Sequence, residues 1–133
     1  MRRTQGLLVV LMLSLALGAC GANMAPVLEV RDENALRAPD ASTMYEVVRW
    51  ALDAKGWRVE DERPGALLAT VTAGGHWGTV EIVYDDLGYA IRHVRSSPGL
   101  KFDGVYIHKR FNLWVDRLDN AIQNRLRAVG AKG

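Results

Sequence analysis

Trp77-Gly78-Thr79-Val80-Glu81-Ile82-Val83-Tyr84, Asp85-Asp86-Leu87-Gly88 and Tyr89-Ala90-Ile91-Arg92-His93-Val94-Arg95 follow one another without a gap, and their reading decides the fold. Two runs rich in β-branched and aromatic residues flank a short segment of turn formers, the pattern of a β-hairpin. Strict alternation sets a register in which Glu81 faces Arg92, Val83 faces Ala90 and Thr79 faces Val94 on one side. Val80, Ile82, Tyr84, Tyr89, Ile91 and His93 share the other side. That second side is the more apolar, so it is the expected core face, and Trp77 falls on the side away from it.

Working back from the hairpin, Gly74-Gly75 reads as a turn and Ala66 to Ala73 as another strand. Glu62-Arg63-Pro64-Gly65 reads as a turn after an alternating Trp57 to Asp61 strand. Before these strands, Met44, Val47, Val48, Ala51 and Leu52 recur at helical spacing. Thr43 with Glu46 offers a capping box, and Gly56 a stop. Working forward, Asp103 is placed to cap a long helix with the stripe Ile107, Phe111, Trp114, Leu118, Ala121, Ile122 and Leu126, ending at Gly130. The order is helix, four strands, helix. It predicts a two-layer α+β fold, an antiparallel sheet of about four strands with the helices packed on one face, forming a single domain over residues 40–130.

The first twenty residues carry a different message. Arg2 and Arg3 precede an apolar stretch from Leu7 to Leu17, and small residues follow at Gly18 and Ala19. This is the layout of a secretory signal peptide over residues 1–19. As a helix, the apolar stretch would span only about 16 Å, roughly half of a bilayer's hydrocarbon core, which argues against a permanent span. Leu17-Gly18-Ala19-Cys20 resembles the lipobox of bacterial lipoproteins. That resemblance implies lipidation of Cys20, with a diacylglyceryl group on its sulfur, cleavage before it and a further acyl chain such as palmitate on the new amino terminus. Gly21 in place of Asp favours sorting to the inner leaflet of the outer membrane, with the domain in the periplasm. Residues 20–39 read as a lipidated N-terminus and flexible tether with an r.m.s. span of about 25 Å. Within them Val27-Leu28-Glu29-Val30 could add an edge strand.

Processing changes the charge balance. Cleavage takes Arg2 and Arg3 away and brings Lys plus Arg from 17 to 15, against 15 Asp plus Glu. A formally neutral domain gives no support to nucleic-acid binding or to a general attraction to anionic lipid. With one cysteine in the chain no internal disulfide is possible, so stability must come from a packed core.

Common catalytic signatures are absent: no Walker A loop, no dinucleotide fingerprint, no HExxH and no GxSxG occur. Gly74-Gly75-His76-Trp77-Gly78 precedes a strand instead of a helix, so it is a turn and not a phosphate loop. The alternating register brings His76 opposite Ser97, and His108 in the first turns of the last helix could join them. This His76, Ser97, His108 corner, with Asp103 beside it, is the one nominal small-ligand or hydrolytic site. A hydrolase also needs a base within hydrogen-bond reach of the serine and an oxyanion hole, which the sequence does not supply. A metal site is disfavoured, since His76 and His93 would lie about 13 Å apart along the strands. No cofactor is implied. Trp77, beside Glu81 and Arg92 on the outer face, is the best candidate contact residue for a protein or glycan partner.

The pattern Lys55-Gly56-Trp57, Pro64-Gly65, His76, Ile82-Val83-Tyr84-Asp85, Ser97, Leu100 and Ile107-His108-x-x-Phe111-Asn112-x-Trp114 resembles a family of small proteobacterial lipoproteins of unknown function. The chain departs from it at Phe111, where the family pattern has a tyrosine, and at Ser97-Pro98-Gly99-Leu100, where it has a longer Ser-x-Asn-Leu element. The resemblance implies the lipoprotein address and a single domain, and it marks His76, Ser97, His108 and Asn112 as motif positions without assigning an activity. The expected function is that of a membrane-anchored, noncatalytic binding module in the envelope.

Overall fold

The computed structural model of this chain describes residues 23–33 and 39–130. The signal peptide expected at residues 1–19 and Cys20 lie outside the described residues. Seven strands, two α-helices and one 3-10 turn follow in the order β1 (Met24–Pro26), β2 (Val30–Asp32), α1 (Ala41–Ala54), β3 (Arg58–Arg63), β4 (Ala66–Ala73), β5 (His76–Tyr84), β6 (Tyr89–Ser96), the 3-10 turn (Pro98–Leu100), β7 (Tyr106–His108) and α2 (Lys109–Gly130). The fold is α+β, but the sheet has five antiparallel strands in the order β2-β6-β5-β4-β3, and β1 pairs with β7 in a separate ribbon. The expected count of about four strands is corrected by β2.

The hairpin forms where expected. Glu81 faces Arg92 and Val83 faces Ala90. Asp85 closes the tip by accepting N–H bonds from Leu87 and Gly88. Toward the other end the register breaks between Thr79 and Val80, so that Thr79 faces Arg95 and not Val94. Unbroken alternation would place Arg95 on the core side beside Ile91 and His93. A β-bulge at Val94 turns its charge out to Glu60, at 2.6 Å. A second shift, between Val59 and Asp61, leaves Glu60 free to point outward from β3.

One face of the sheet carries the core. Leu67, Ala69, Val80, Ile82 and Ile91 pack there against Met44, Val47, Val48, Ala51 and Leu52 of α1 and Phe111, Val115, Leu118 and Ile122 of α2. Helix α1 starts one turn before the expected box: Asp40 is its cap and accepts the Thr43 N–H at 2.8 Å. It ends where Gly56 takes φ +76°, as the glycine predicts. Asp103 does not cap α2. Its carboxylate closes a turn by accepting from Val105 and Tyr106 N–H groups, and β7 intervenes before the helix begins at Lys109. Phe111 lies so close over Gly78 that a Cβ there would sit 2.8 Å from its ring.

Of the flexible tether expected over residues 20–39, residues 20–22 and 34–38 lie outside the described residues, and the stretch between them is built into the fold. Met24–Pro26 pairs with Tyr106–His108, and Val30–Asp32 pairs with Tyr89–Ile91. Val27, Leu28 and Val30 pack against the core, which is the apolar burial that a free linker would forgo.

Candidate functional site

His76, Trp77 and Ser97 meet at the open end of the β5–β6 hairpin, one residue out of the expected register because of the bulge. Ser97 pairs with Trp77: its N–H donates to the Trp77 carbonyl at 2.9 Å, and its Oγ accepts the Trp77 N–H at 3.0 Å. The hydroxyl is buried and bonded to backbone. The His76 ring lies over Gly99, where a Cβ would come within 2.3 Å of Cε1. His108 is turned elsewhere, its Nδ1 accepting the Arg110 N–H at 3.1 Å in the first turn of α2. Among the described residues no hydrogen bond joins either imidazole to Ser97. The corner raised as a nominal small-ligand or hydrolytic site holds a hairpin clasp, with Ser97 satisfying the Trp77 backbone at the end of the strands.

Asn112 is a clasp of a second kind. Its Oδ1 accepts from Leu28 N–H and its Nδ2 donates to the Pro26 carbonyl, both at 2.8 Å. It binds the irregular stretch between β1 and β2. Among the described residues no group of three or more His, Cys, Asp or Glu side chains could hold a metal ion.

Two polar constellations escaped the sequence reading. His93 Nε2 and Ser96 Oγ share a hydrogen bond of 2.9 Å on the core side of β6, with the imidazole 4.0 Å from the Phe102 ring and 5.2 Å from that of Phe111. Burial pushes this histidine below its ordinary pKa, and Glu29 offsets part of the effect. At the other end of the sheet, Tyr89 donates to Asp119 at 2.5 Å, and Gln123 donates both to Tyr89 and to Asp32. Burial raises the Asp119 carboxyl, with the charge of Asp32 adding to the rise. It also raises the Tyr89 phenol far above its usual range. Neither grouping follows from spacing: the first needs the bulge that turns Ser96 back toward His93, and the second joins β2, β6 and α2.

The sheet's second face has the clearest surface character. No described element covers it. Trp77, Thr79, Glu81 and Val83 of β5 point there, alongside Leu68, Thr70 and Thr72 of β4 and Ala90, Arg92 and Arg95 of β6. The Glu60–Arg95 pair reaches from β3 to β6 across the hydrogen-bonded Thr70 and Thr79, which explains why Thr79 is fully buried on an open face. Arg63 pairs with Glu81 at 2.6 Å as a second brace. Trp77 lies half-buried beyond the first brace. Beyond the second, Arg31, Val83, Leu87, Ala90 and Arg92 line an open groove of about 500 Å³.

Comparisons of the chain with protein-family models, with curated proteins and with solved structures return no match. Among the described residues no helix is long and apolar enough to cross a membrane.

Proposed function

We propose that this chain is a lipid-anchored protein of the bacterial envelope, one of the small proteobacterial lipoproteins its motifs resemble. In this reading it works without catalysis, holding a protein or glycan partner on the uncovered face of its sheet. The observation that carries the reading is the one-sided packing: both helices share one face, leaving the other with two ion-pair braces, Trp77 beyond the one and Val83 and Arg92 beyond the other. Tryptophan and arginine are among the side chains that most often dominate binding energy at interfaces. The braces hold the flanking side chains in place before a partner arrives, which lowers the ordering cost of association. The anchor is supported by the Leu17 to Cys20 motif, and Gly21 in place of Asp favours the periplasmic side of the outer membrane.

The test is site-specific photo-cross-linking in living cells. A photoreactive residue replaces Trp77, Val83 or Arg92 in turn, with Arg117 on the exposed side of α2 as the control position. Adducts with one partner from the sheet positions alone are expected. Equal adducts from Arg117, or only self-adducts, would sink the proposal.

A further inference from the structure

We propose that the β1–β7 end of the domain lies on the lipid surface, with Phe102, Val105 and Tyr106 as its contact, so that the anchor is short and the domain is docked. The inference rests on the acylation of Cys20 in the preceding reading. Chain length is its first support. Asn23 is already fixed, its carbonyl accepting the Lys109 N–H at 2.8 Å. Three peptide steps separate it from Cys20, a reach of at most about 11 Å. A domain so tied cannot stand clear of the headgroups, as a flexible tether of the length read from sequence would allow.

What the tie brings to the surface is the second support. Ile107 is buried on the inner side of the ribbon, so its neighbours Tyr106 and His108 face out with their partners Pro26 and Met24. Tyr106 is 48% exposed, and next to it in the turn Val105 is 58% and Phe102 38% exposed. Val105 is fixed by its carbonyl, which accepts the Val27 N–H, and Asp103 turns its carboxylate back onto the Val105 and Tyr106 N–H groups. The turn is thus a rigid apolar projection. Exposed Lys101, Lys109 and Arg110 flank it. Apolar side chains with a basic rim fit the headgroup boundary of an anionic leaflet, and a second weak membrane signal adds to a lipid chain.

The experiment uses the full chain purified from membranes and reconstituted in vesicles of phosphatidylethanolamine and phosphatidylglycerol. Val105→Cys carries an environment-sensitive fluorophore, and Asp86→Cys at the opposite hairpin tip is the control; mass spectrometry of the same samples reads the acyl chains on Cys20. Brominated lipid should quench the label at 105 by at least about twofold more than the label at 86, and the label at 105 should be shielded from aqueous iodide. With Cys20 acylated, equal quenching at the two positions overturns the docking and leaves the anchor standing. Cys20 found unacylated while the label at 105 is still quenched by vesicle lipid overturns the anchor and upholds the surface. Shielding from iodide without quenching by lipid means that a protein, such as a second copy of this chain, covers the turn, and that also overturns the docking.

Discussion

His93 sits with its ring between Phe102 and Phe111 and one nitrogen on Ser96. Its side of the strand was legible from alternation alone. The consequence of that position was not, because it depends on rings contributed by a loop and a helix far along the chain. Burial lowers its pKa below the ordinary 6.5, so the unfolded chain takes up a proton more readily than the folded one. In the window beneath 6.5 the unfolded state therefore binds more protons. Stability should hold above that value and decline as the pH falls toward the depressed pKa, below which this contribution stays lost. Urea unfolding of the wild type and of His93→Gln between about pH 5 and pH 7.5 isolates the effect, since the two proteins differ only at this imidazole. The variant should show the shallower decline. Parallel profiles would mean that the rings do not keep this imidazole dry.

Elements were legible wherever one physical rule governed them. Met44, Val47, Val48, Ala51 and Leu52, read as a helical stripe, are all buried, and so are Phe111, Trp114, Leu118, Ala121 and Ile122 on α2. Where two rules competed, the simpler one misled. Alternation continued through Val94, whereas burying Arg95 was too costly, and the strand bulged; an arginine in the core phase of a strand was the available warning. Asp103 had the right residue type for a helix cap but sits ahead of β7, and nothing local distinguishes a cap from a turn acceptor. Contacts between elements were out of reach. Tyr89 illustrates this, since its hydroxyl joins β6 to Asp119 and Gln123 of α2, and Gln123 continues to β2. Tyr89→Phe keeps the ring and removes the donor to a half-buried carboxylate, which should lower stability by about 1–3 kcal/mol. Thermal unfolding reads the loss. If Asp119→Asn combined with Tyr89→Phe costs as much as the two single changes added, the hydroxyl and the carboxylate are not coupled and the tie is overstated.

For the whole molecule, the sequence drew the domain boundary at residue 40, whereas β1 (Met24–Pro26) and β2 (Val30–Asp32) already pair with strands of the folded unit. The difference arises because β1 and β2 are three residues each and carry no sustained pattern of their own; they are strands only because β7 and β6 offer them edges. What they contribute is distributed. Val30 covers the Ile91 edge of the sheet, Val27 and Leu28 pack on the core, and Asn112 bonds the backbone between the two strands. Three half-buried apolar side chains amount to about 3 kcal/mol at roughly 1 kcal/mol each. For a domain of this size such a loss lowers the melting temperature by roughly 10 to 20 °C. A soluble chain beginning at Gly21 should therefore melt that much above one beginning at Pro39, and the shorter chain should bind a hydrophobic dye at its exposed Ile91 and Ile107 edges. Equal melting temperatures would return residues 24–32 to the status of a tether. They would also remove the ground for docking at a lipid surface, because a domain that folds without β1 would leave the proposed Cys20 anchor long enough to stand clear.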